Sequence, residues 1–383
     1  MKELGIGIIG MGWMGEAHSN AYNAISAKFN DINIKPKLII CSEILEKRAI
    51  EAKERFGFER YTTDWKKVVE DPDVHIVDIT APNSLHLEII EYCIKHNKHI
   101  NCEKPIGAFP DETIQAYELV KDYEKKTFVG YNYRWSPLVQ HTKKLIEDGV
   151  LGDLLHYKGR FFSCYAADPL GFYSWRFEKE NGYGALTDIM SHAVDMAINL
   201  MGEVEEVQGV MDTFIKQRPV APAGASHYAK GSLDDEMKDV TNDDYVSSIL
   251  KFKNGARGYI DSSRAFYGPT SEHTFEIHGS KGSIKWNFEE MNTLHLYLQE
   301  EGVNNGYRKI YSSPSYPNHN NFNPSDGSGL GYEDLKTIEI ANFLKLIEND
   351  DYSNIVTFED AKNVANVLNA IIKSNETKSL VFI

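Results

Sequence analysis

Leu4-Gly-Ile-Gly-Ile-Ile-Gly-Met-Gly-Trp-Met-Gly15 is an apolar run that breaks into glycines and then opens an amphipathic segment. It reads as strand, tight turn and helix. Gly10, Gly12 and Gly15 stand at G-x-G-x-x-G spacing, which allows a sharp turn, a close backbone approach to a pyrophosphate and tight packing of helix on strand. Exposed amides at the helix start, reinforced by the positive end of its dipole, then face an anion. The helical pattern Ala17, Ala21, Ile25 and Phe29 follows directly. The stretch is therefore expected to bind a dinucleotide, with Trp13 and Met14 inside the turn.

At 383 residues the chain is too long for one ordinary core, so two domains are expected. With 42% hydrophobic and 25% charged residues it has the balance of a soluble globular protein. The formal charge of -15 repels phosphate backbones and anionic membranes, and no basic patch offsets it. Neither nucleic acid nor membrane is an expected partner. Met1-Lys2-Glu3 runs straight into the first strand without a signal-peptide pattern, and no apolar run is long enough to span a bilayer. Cys41, Cys93, Cys102 and Cys164 are scattered without C-x-x-C spacing, which points to a reducing cytoplasm and away from a zinc site.

Beyond the glycine turn, short apolar runs alternate with helical periodicity, the pattern of a parallel sheet with crossover helices. Pro36–Cys41 reads as the second strand and ends at Ser42-Glu43. An acid at this strand end can accept hydrogen bonds from both ribose hydroxyls of NAD and repels the extra phosphate of NADP. Glu43 thus points to NAD. Ser42 with Lys47 and Arg48 is the arrangement that could hold the NADP phosphate instead, and Glu43 also reads as a plain acid at a helix start. Val74–Thr80 is the next strand, and its turn Ala81-Pro82-Asn83 should border the cofactor, since ligands lie at the carboxyl ends of such strands. His86 either touches the cofactor edge or is a surface residue. His99–Cys102 ends at Glu103-Lys104-Pro105, where Glu103 and Lys104 are expected to touch the cofactor and the Lys104 amine over a nicotinamide can bind or deprotonate a substrate hydroxyl.

The combination of Gly10-x-Gly12-x-x-Gly15, Thr80-Ala-Pro-Asn83 with His86, Glu103-Lys104-Pro105 and Gly130-Tyr-Asn-Tyr-Arg134 with Pro137 resembles the glucose-fructose oxidoreductase and inositol dehydrogenase family, Gfo/Idh/MocA. The likeness runs through nearly the whole chain. It implies a Rossmann dinucleotide-binding domain over 1–128 and an α+β domain over 129–383 with a large open, mostly antiparallel sheet. It also implies a homodimer or homotetramer.

In the second part, Ala185–Met201 reads as one largely apolar helix that carries Asp188, His192, Asp195 and Asn199 at i, i+4, i+7, i+11 spacing. These four fall within about 60° of one face. A stripe of this kind on a buried helix must meet partners or a wet cleft. Asp188 can orient the His192 ring as a proton acceptor. A helix-start acid and a satisfied core histidine are equally compatible with the spacing. The resemblance assigns this pair, with Lys104, to the chemistry, and requires that both segments converge on one nicotinamide. Trp175 and Arg176 are expected to line the substrate site, with Asn132, Arg134 and Arg264 as further candidates for hydroxyl recognition. Two irregular insertions, Gln217–Asn242 and Ser312–Gly329, are long enough that one is expected to shape the pocket. No metal-ligand cluster is expected, since His18 and the other histidines lie far apart in sequence.

The expected activity is hydride transfer between a secondary alcohol of a sugar, glycoside or cyclic polyol and NAD, as in inositol or glucoside 3-dehydrogenases. The alternatives are an NAD-using glycosidase or epimerase with transient oxidation, and a regulator that binds NAD without catalysis.

Overall fold

The computed structural model describes residues 2–222, 230–299 and 305–383. Its first stretch alternates strand and helix: β1 (Lys2–Ile9), α1 (Trp13–Lys28), β2 (Ile34–Ser42), α2 (Glu46–Phe56), β3 (Arg60–Thr62), α3 (Lys66–Glu70), β4 (Ile76–Ile79), α4 (His86–Lys95), β5 (His99–Cys102), α5 (Pro110–Val120) and β6 (Thr127–Val129). The six strands pair in the order β3-β2-β1-β4-β5-β6, every neighbour parallel. Ile6, Ile8, Ile76, Val77, Ile79 and Ile100 are fully buried, as residues on both faces of a helix-covered sheet must be. The strand order reverses between β1 and β4, which opens the crevice where such sheets bind ligands. β3 escaped the sequence reading because it is a three-residue edge with a polar first position.

The chain continues with α6 (Pro137–Glu147), β7 (Leu154–Ser163), α7 (Ser191–Met201), β8 (Val204–Asp212), β9 (Gln217–Pro219), β10 (Met237–Asp239), β11 (Tyr245–Phe252), β12 (Arg257–Ser263), β13 (Ser271–Gly279), β14 (Gly282–Asn287), β15 (Thr293–Leu298) and β16 (Arg308–Tyr311). It closes with α8 (Tyr332–Asn349), α9 (Phe358–Thr377) and β17 (Val381–Phe382). Nine strands form one sheet in the order β16-β15-β14-β13-β7-β12-β11-β8-β17. Among the described residues of this sheet only β7 and β12 pair in parallel, so the sheet is open and mostly antiparallel. Strict alternation buries Tyr157 and Phe161 of β7, Leu250 and Phe252 of β11, and Phe275 and Ile277 of β13. α7 packs on β7, β12 and β13.

The chain packs as two compact units. One comprises Met1–Gly107, Glu112–Ser136 and Ser313–Lys362; the other comprises Ala108–Asp111, Pro137–Ser312 and Asn363–Ile383. Compared with a division at 128/129, the packing adds a late segment to the first unit, where α8 lies on α1. The second insertion also belongs to this unit: Phe322 meets Phe29 edge-on at 5.9 Å, and buried His319 bonds the carbonyls of Asn323 and Ser328. The first insertion forms the β9–β10 pair, and its residues 223–229 lie outside the described part. Among the described residues, no helix is long and apolar enough to cross a membrane.

Candidate active site

In the first unit the glycine turn has the shape its spacing requires. Gly10 takes φ +94°, and a Cβ there would lie 2.8 Å from Ala81 Cα; a Cβ at Gly15 would lie 2.1 Å from the Gly10 carbonyl. Thr80 Oγ1 donates to that same carbonyl at 2.7 Å, so the 81–83 turn is held against the glycines. A Cβ at Gly12 would meet nothing within 4 Å, which leaves an open cradle on that side. No side chain caps the start of α1, so its first amides remain available to an anion. The Glu43 carboxylate accepts from the Met11 amide at 3.2 Å and the Ile44 amide at 3.0 Å, which fixes it at the end of β2. Ser42 is buried and Arg48 bonds the Met11 carbonyl at 3.2 Å, so the alternative phosphate-holding set is not assembled. Trp13, 68% exposed, stacks on Tyr332 of α8 at 5.1 Å, and the Tyr332 hydroxyl reaches Met14 Sδ at 3.5 Å.

Two of the expected cofactor contacts prove to be internal supports. His86 is fully buried, with its ring nitrogens 2.8 Å from the Ala81 carbonyl and 3.2 Å from the Pro105 carbonyl. It ties the two turns together instead of presenting its ring, and burial lowers its proton affinity. Glu103 turns inward, where Nε2 of His18 lies 2.9 Å from its Oε1 and Lys336 donates to the same oxygen. Asp78 lies 3.0 Å from the other ring nitrogen of His18. Burial alone would strip His18 of its proton, but Asp78 and Glu103 outweigh this and push it up to about 10. The cationic neighbours Lys336 and His18 likewise overcome burial and hold Glu103 well below the usual carboxylate range. His18, Glu103 and Glu339 do gather within 4.8 Å, a cluster the sequence spacing could not show. The Lys336 ammonium bonds both carboxylates, so the cation they face is the protein's own.

Asn132 and Arg134 were expected at the substrate. Both are buried, and Arg134 faces Asp360 at 3.5 Å, which ties the 132–135 turn to the start of α9. Lys104 follows directly on Glu103, and the Lys104–Pro105 peptide bond is cis.

In the second unit the expected straight helix is corrected. Leu186–Met190 forms a π turn before α7 begins at Ser191. Wider turns of this kind recur at functional sites, and this one carries Asp188. Asp188 accepts the Tyr165 hydroxyl at 2.9 Å and faces Arg176 at 3.7 Å. The stripe divides further along: Asp195 is buried, and Asn199 receives Lys143 of α6 at 3.2 Å. His192 packs beside Phe161 at 5.9 Å, and Phe161 stacks on His273 at 4.8 Å. Burial keeps His273 neutral, with its proton affinity lowered to about 3.

The loop carrying Trp175 and Arg176 is braced from behind. The ring of Phe177 meets the guanidinium groups of Arg218, at 4.2 Å, and Arg264, at 4.7 Å. Arg264 is buried and bonds Asp244 at 2.8 Å, Asn242 at 2.7 Å and the Arg176 carbonyl at 2.9 Å. It therefore supports the loop and is not placed for hydroxyl recognition. Asp243 accepts the amides of Gly184 and Leu186 at 2.9 and 2.7 Å, which anchors the entry to the π turn. Trp175 remains 39% exposed with the Arg176 guanidinium over its ring at 4.6 Å. One apolar face thus lies beside a carboxylate, a phenol and a guanidinium, a set suited to a sugar ring.

Residues 4–131 match the oxidoreductase family with an NAD-binding Rossmann fold, and residues 139–285 match the GFO/IDH/MocA C-terminal domain. The chain belongs to the GFO/IDH/MocA family. Among characterised members, it is 38% identical to levoglucosan dehydrogenase of Pseudarthrobacter phenanthrenivorans, over 100% of this chain and 98% of that protein. Myo-inositol 2-dehydrogenase of Thermotoga maritima is 30% identical over 80% of this chain and 81% of its own. A levoglucosan dehydrogenase in complex with NADH and levoglucosan superimposes with a TM-score of 0.92 at 37% identity, covering 100% of both chains. As a GFO/IDH/MocA member the chain is an NAD-dependent oxidoreductase. The open cradle at Gly12, the uncapped start of α1 and the anchored Glu43 fit that cofactor.

Tyr165, Tyr332 and Lys336 were missed from the sequence. Tyr332 sits in Gly331-Tyr-Glu-Asp334, whose capping box starts α8. Lys336 and Glu339 were visible as charges three residues apart near the start of a largely apolar helix, Leu335–Leu346.

Proposed function

We propose that this protein oxidises a secondary hydroxyl of an anhydrosugar, with levoglucosan as the representative substrate, and passes the hydride to NAD. The observation that carries the reading is the end-to-end likeness to levoglucosan dehydrogenase. The free hydroxyls of levoglucosan are all secondary, which matches proton chemistry served by an amine and an imidazole. Bound NAD supplies a hydride acceptor. Gly10, Gly12, Trp13, Met14 and Gly15 with Ala81, Pro82 and Asn83 hold it, and Glu43 takes the ribose hydroxyls. Lys104 and His192 bind the reacting hydroxyl and take its proton, so that the oxygen becomes a carbonyl as its carbon loses hydride. Asp188 supports His192, and Tyr165 and Arg176 hold Asp188. Trp175 offers its exposed indole to the apolar face of the sugar. The protein works in the cytoplasm as a homodimer or homotetramer; the four free cysteines and the broad antiparallel sheet support this.

The test is NADH formation, followed by absorbance, with levoglucosan, myo-inositol, glucose and simple glucosides. Levoglucosan should give sustained accumulation with a kcat/KM at least about tenfold above the inositols. Turnover without accumulation would favour transient oxidation, and reaction with inositol alone would overturn the anhydrosugar assignment.

A further inference from the structure

One carboxylate links a late helix to the peptide from which Lys104 starts. Glu103 Oε2 accepts the backbone amide of Lys104 at 3.2 Å, while Oε1 takes Lys336 and His18. The Lys336 ammonium also donates to Glu339 at 3.1 Å and to the Gly130 carbonyl at 3.4 Å. α1 contributes His18 and Tyr22; β4 contributes Asp78; β5 contributes Asn101 and Glu103; α8 contributes Lys336 and Glu339. Asn101 donates to Asp78 at 2.9 Å, which completes the far side. All five charged side chains are buried.

A buried ion cluster of this size is a poor way to gain stability, since well-packed apolar residues of the same volume often do as well. What it does supply is a defined geometry. We propose that Lys336 is a positioning residue for the proton chemistry of Lys104: through Glu103 it fixes the peptide from which Lys104 projects. This rests on the reading that Lys104 serves the reacting hydroxyl.

With Asp78 and Glu103 ionised and His18 and Lys336 protonated, the cluster is neutral when Glu339 is protonated and carries an excess negative charge when it is not. Burial, reinforced by the charge of Glu103 and opposed by Lys336, raises Glu339 to about 7. Ionised Glu339 competes with Glu103 for the ammonium, so the hold on the Lys104 peptide weakens as pH rises through neutrality.

The test compares three variants of the full chain with NAD and levoglucosan. Lys336→Met keeps an unbranched side chain, one atom shorter, and removes the charge; kcat should fall about tenfold or more while KM and NADH affinity, read by fluorescence, change less than about threefold. Glu339→Gln holds the cluster in its neutral form, and the near-neutral inflection of the kcat–pH profile should disappear. A merely structural cluster predicts the opposite, a lowered melting temperature with unchanged kcat per folded enzyme and an unchanged profile, and that result overturns the proposal. If Lys336→Met does not fold, the Glu339→Gln profile decides alone. Lys104→Met separates the two levels: an inactive Lys104→Met beside an unaffected Lys336→Met refutes positioning only, whereas a fully active Lys104→Met removes the functional reading and the proposal with it.

Discussion

Tyr165 donates its hydroxyl to Asp188 at 2.9 Å, and desolvation of the hydroxyl end together with that carboxylate pushes the phenol's proton affinity up, so it stays a donor across the working pH range. A hydrogen bond to a charged acceptor is worth about 1.5–3 kcal/mol. If Asp188 supports His192, Tyr165→Phe should lower kcat by about tenfold, with little change in melting temperature, since the phenol is not a core residue. Steady-state kinetics beside thermal unfolding checks this.

Glu43 is fixed by two amides and faces the crevice end of β2. In the proposed function Glu43 takes the ribose hydroxyls, so Glu43→Ser should remove both that acceptor and the repulsion toward a phosphate. The ratio of kcat/KM for NAD over NADP should fall by about tenfold or more.

The buried cluster makes stability depend on pH in three ways. His18 is raised from 6.5 to about 10 in the folded protein, so its contribution is complete below 6.5 and is lost as pH climbs toward 10. Glu103 is lowered from 4.5, so its contribution is present above 4.5 and lost as pH falls through its folded value. Glu339 is raised from 4.5 to about 7; the folded protein holds the extra proton between these values, and stability falls as pH rises through that window. The melting temperature should therefore peak on the acid side of neutrality. Glu339→Gln should raise it at alkaline pH and leave it nearly unchanged near pH 4.5, as differential scanning calorimetry would show.

Arg264 and Asp244 form a buried pair at 2.8 Å. Arg264→Met strands the carboxylate and the groups of Asn242 and Arg176 that the guanidinium serves. Breaking such a pair costs about 3–5 kcal/mol. Denaturant unfolding should show that loss, and the activity of the folded fraction should fall through the Trp175–Arg176 loop.

The parts of this account legible in the sequence are local. The glycine turn, Glu103-Lys104-Pro105 and the apolar run into α7 each state their structure within a dozen residues, because strand, turn and helix periodicities act over that range. The position of Glu43 just past β2 was legible because the apolar run that makes the strand ends beside it. The rest depends on distant partners. Lys336 meets Glu103 across 233 residues, and nothing in local periodicity announces that meeting. His86, Arg134 and Arg264 looked like ligand-facing polar groups; each is instead a support, since a buried polar side chain must find a partner and these found them in the protein. The π turn was invisible because its residues, Leu186-Thr-Asp-Ile-Met190, fit a regular helix equally well.

The central claim is that hydride leaves a secondary carbon of an anhydrosugar for NAD. Levoglucosan deuterated at its ring carbons, incubated with the protein and NAD, should yield reduced cofactor carrying one deuterium by mass spectrometry, accumulating in step with a ketosugar. Reduced cofactor without the label, or complete consumption of the sugar with no reduced cofactor formed, would contradict the account.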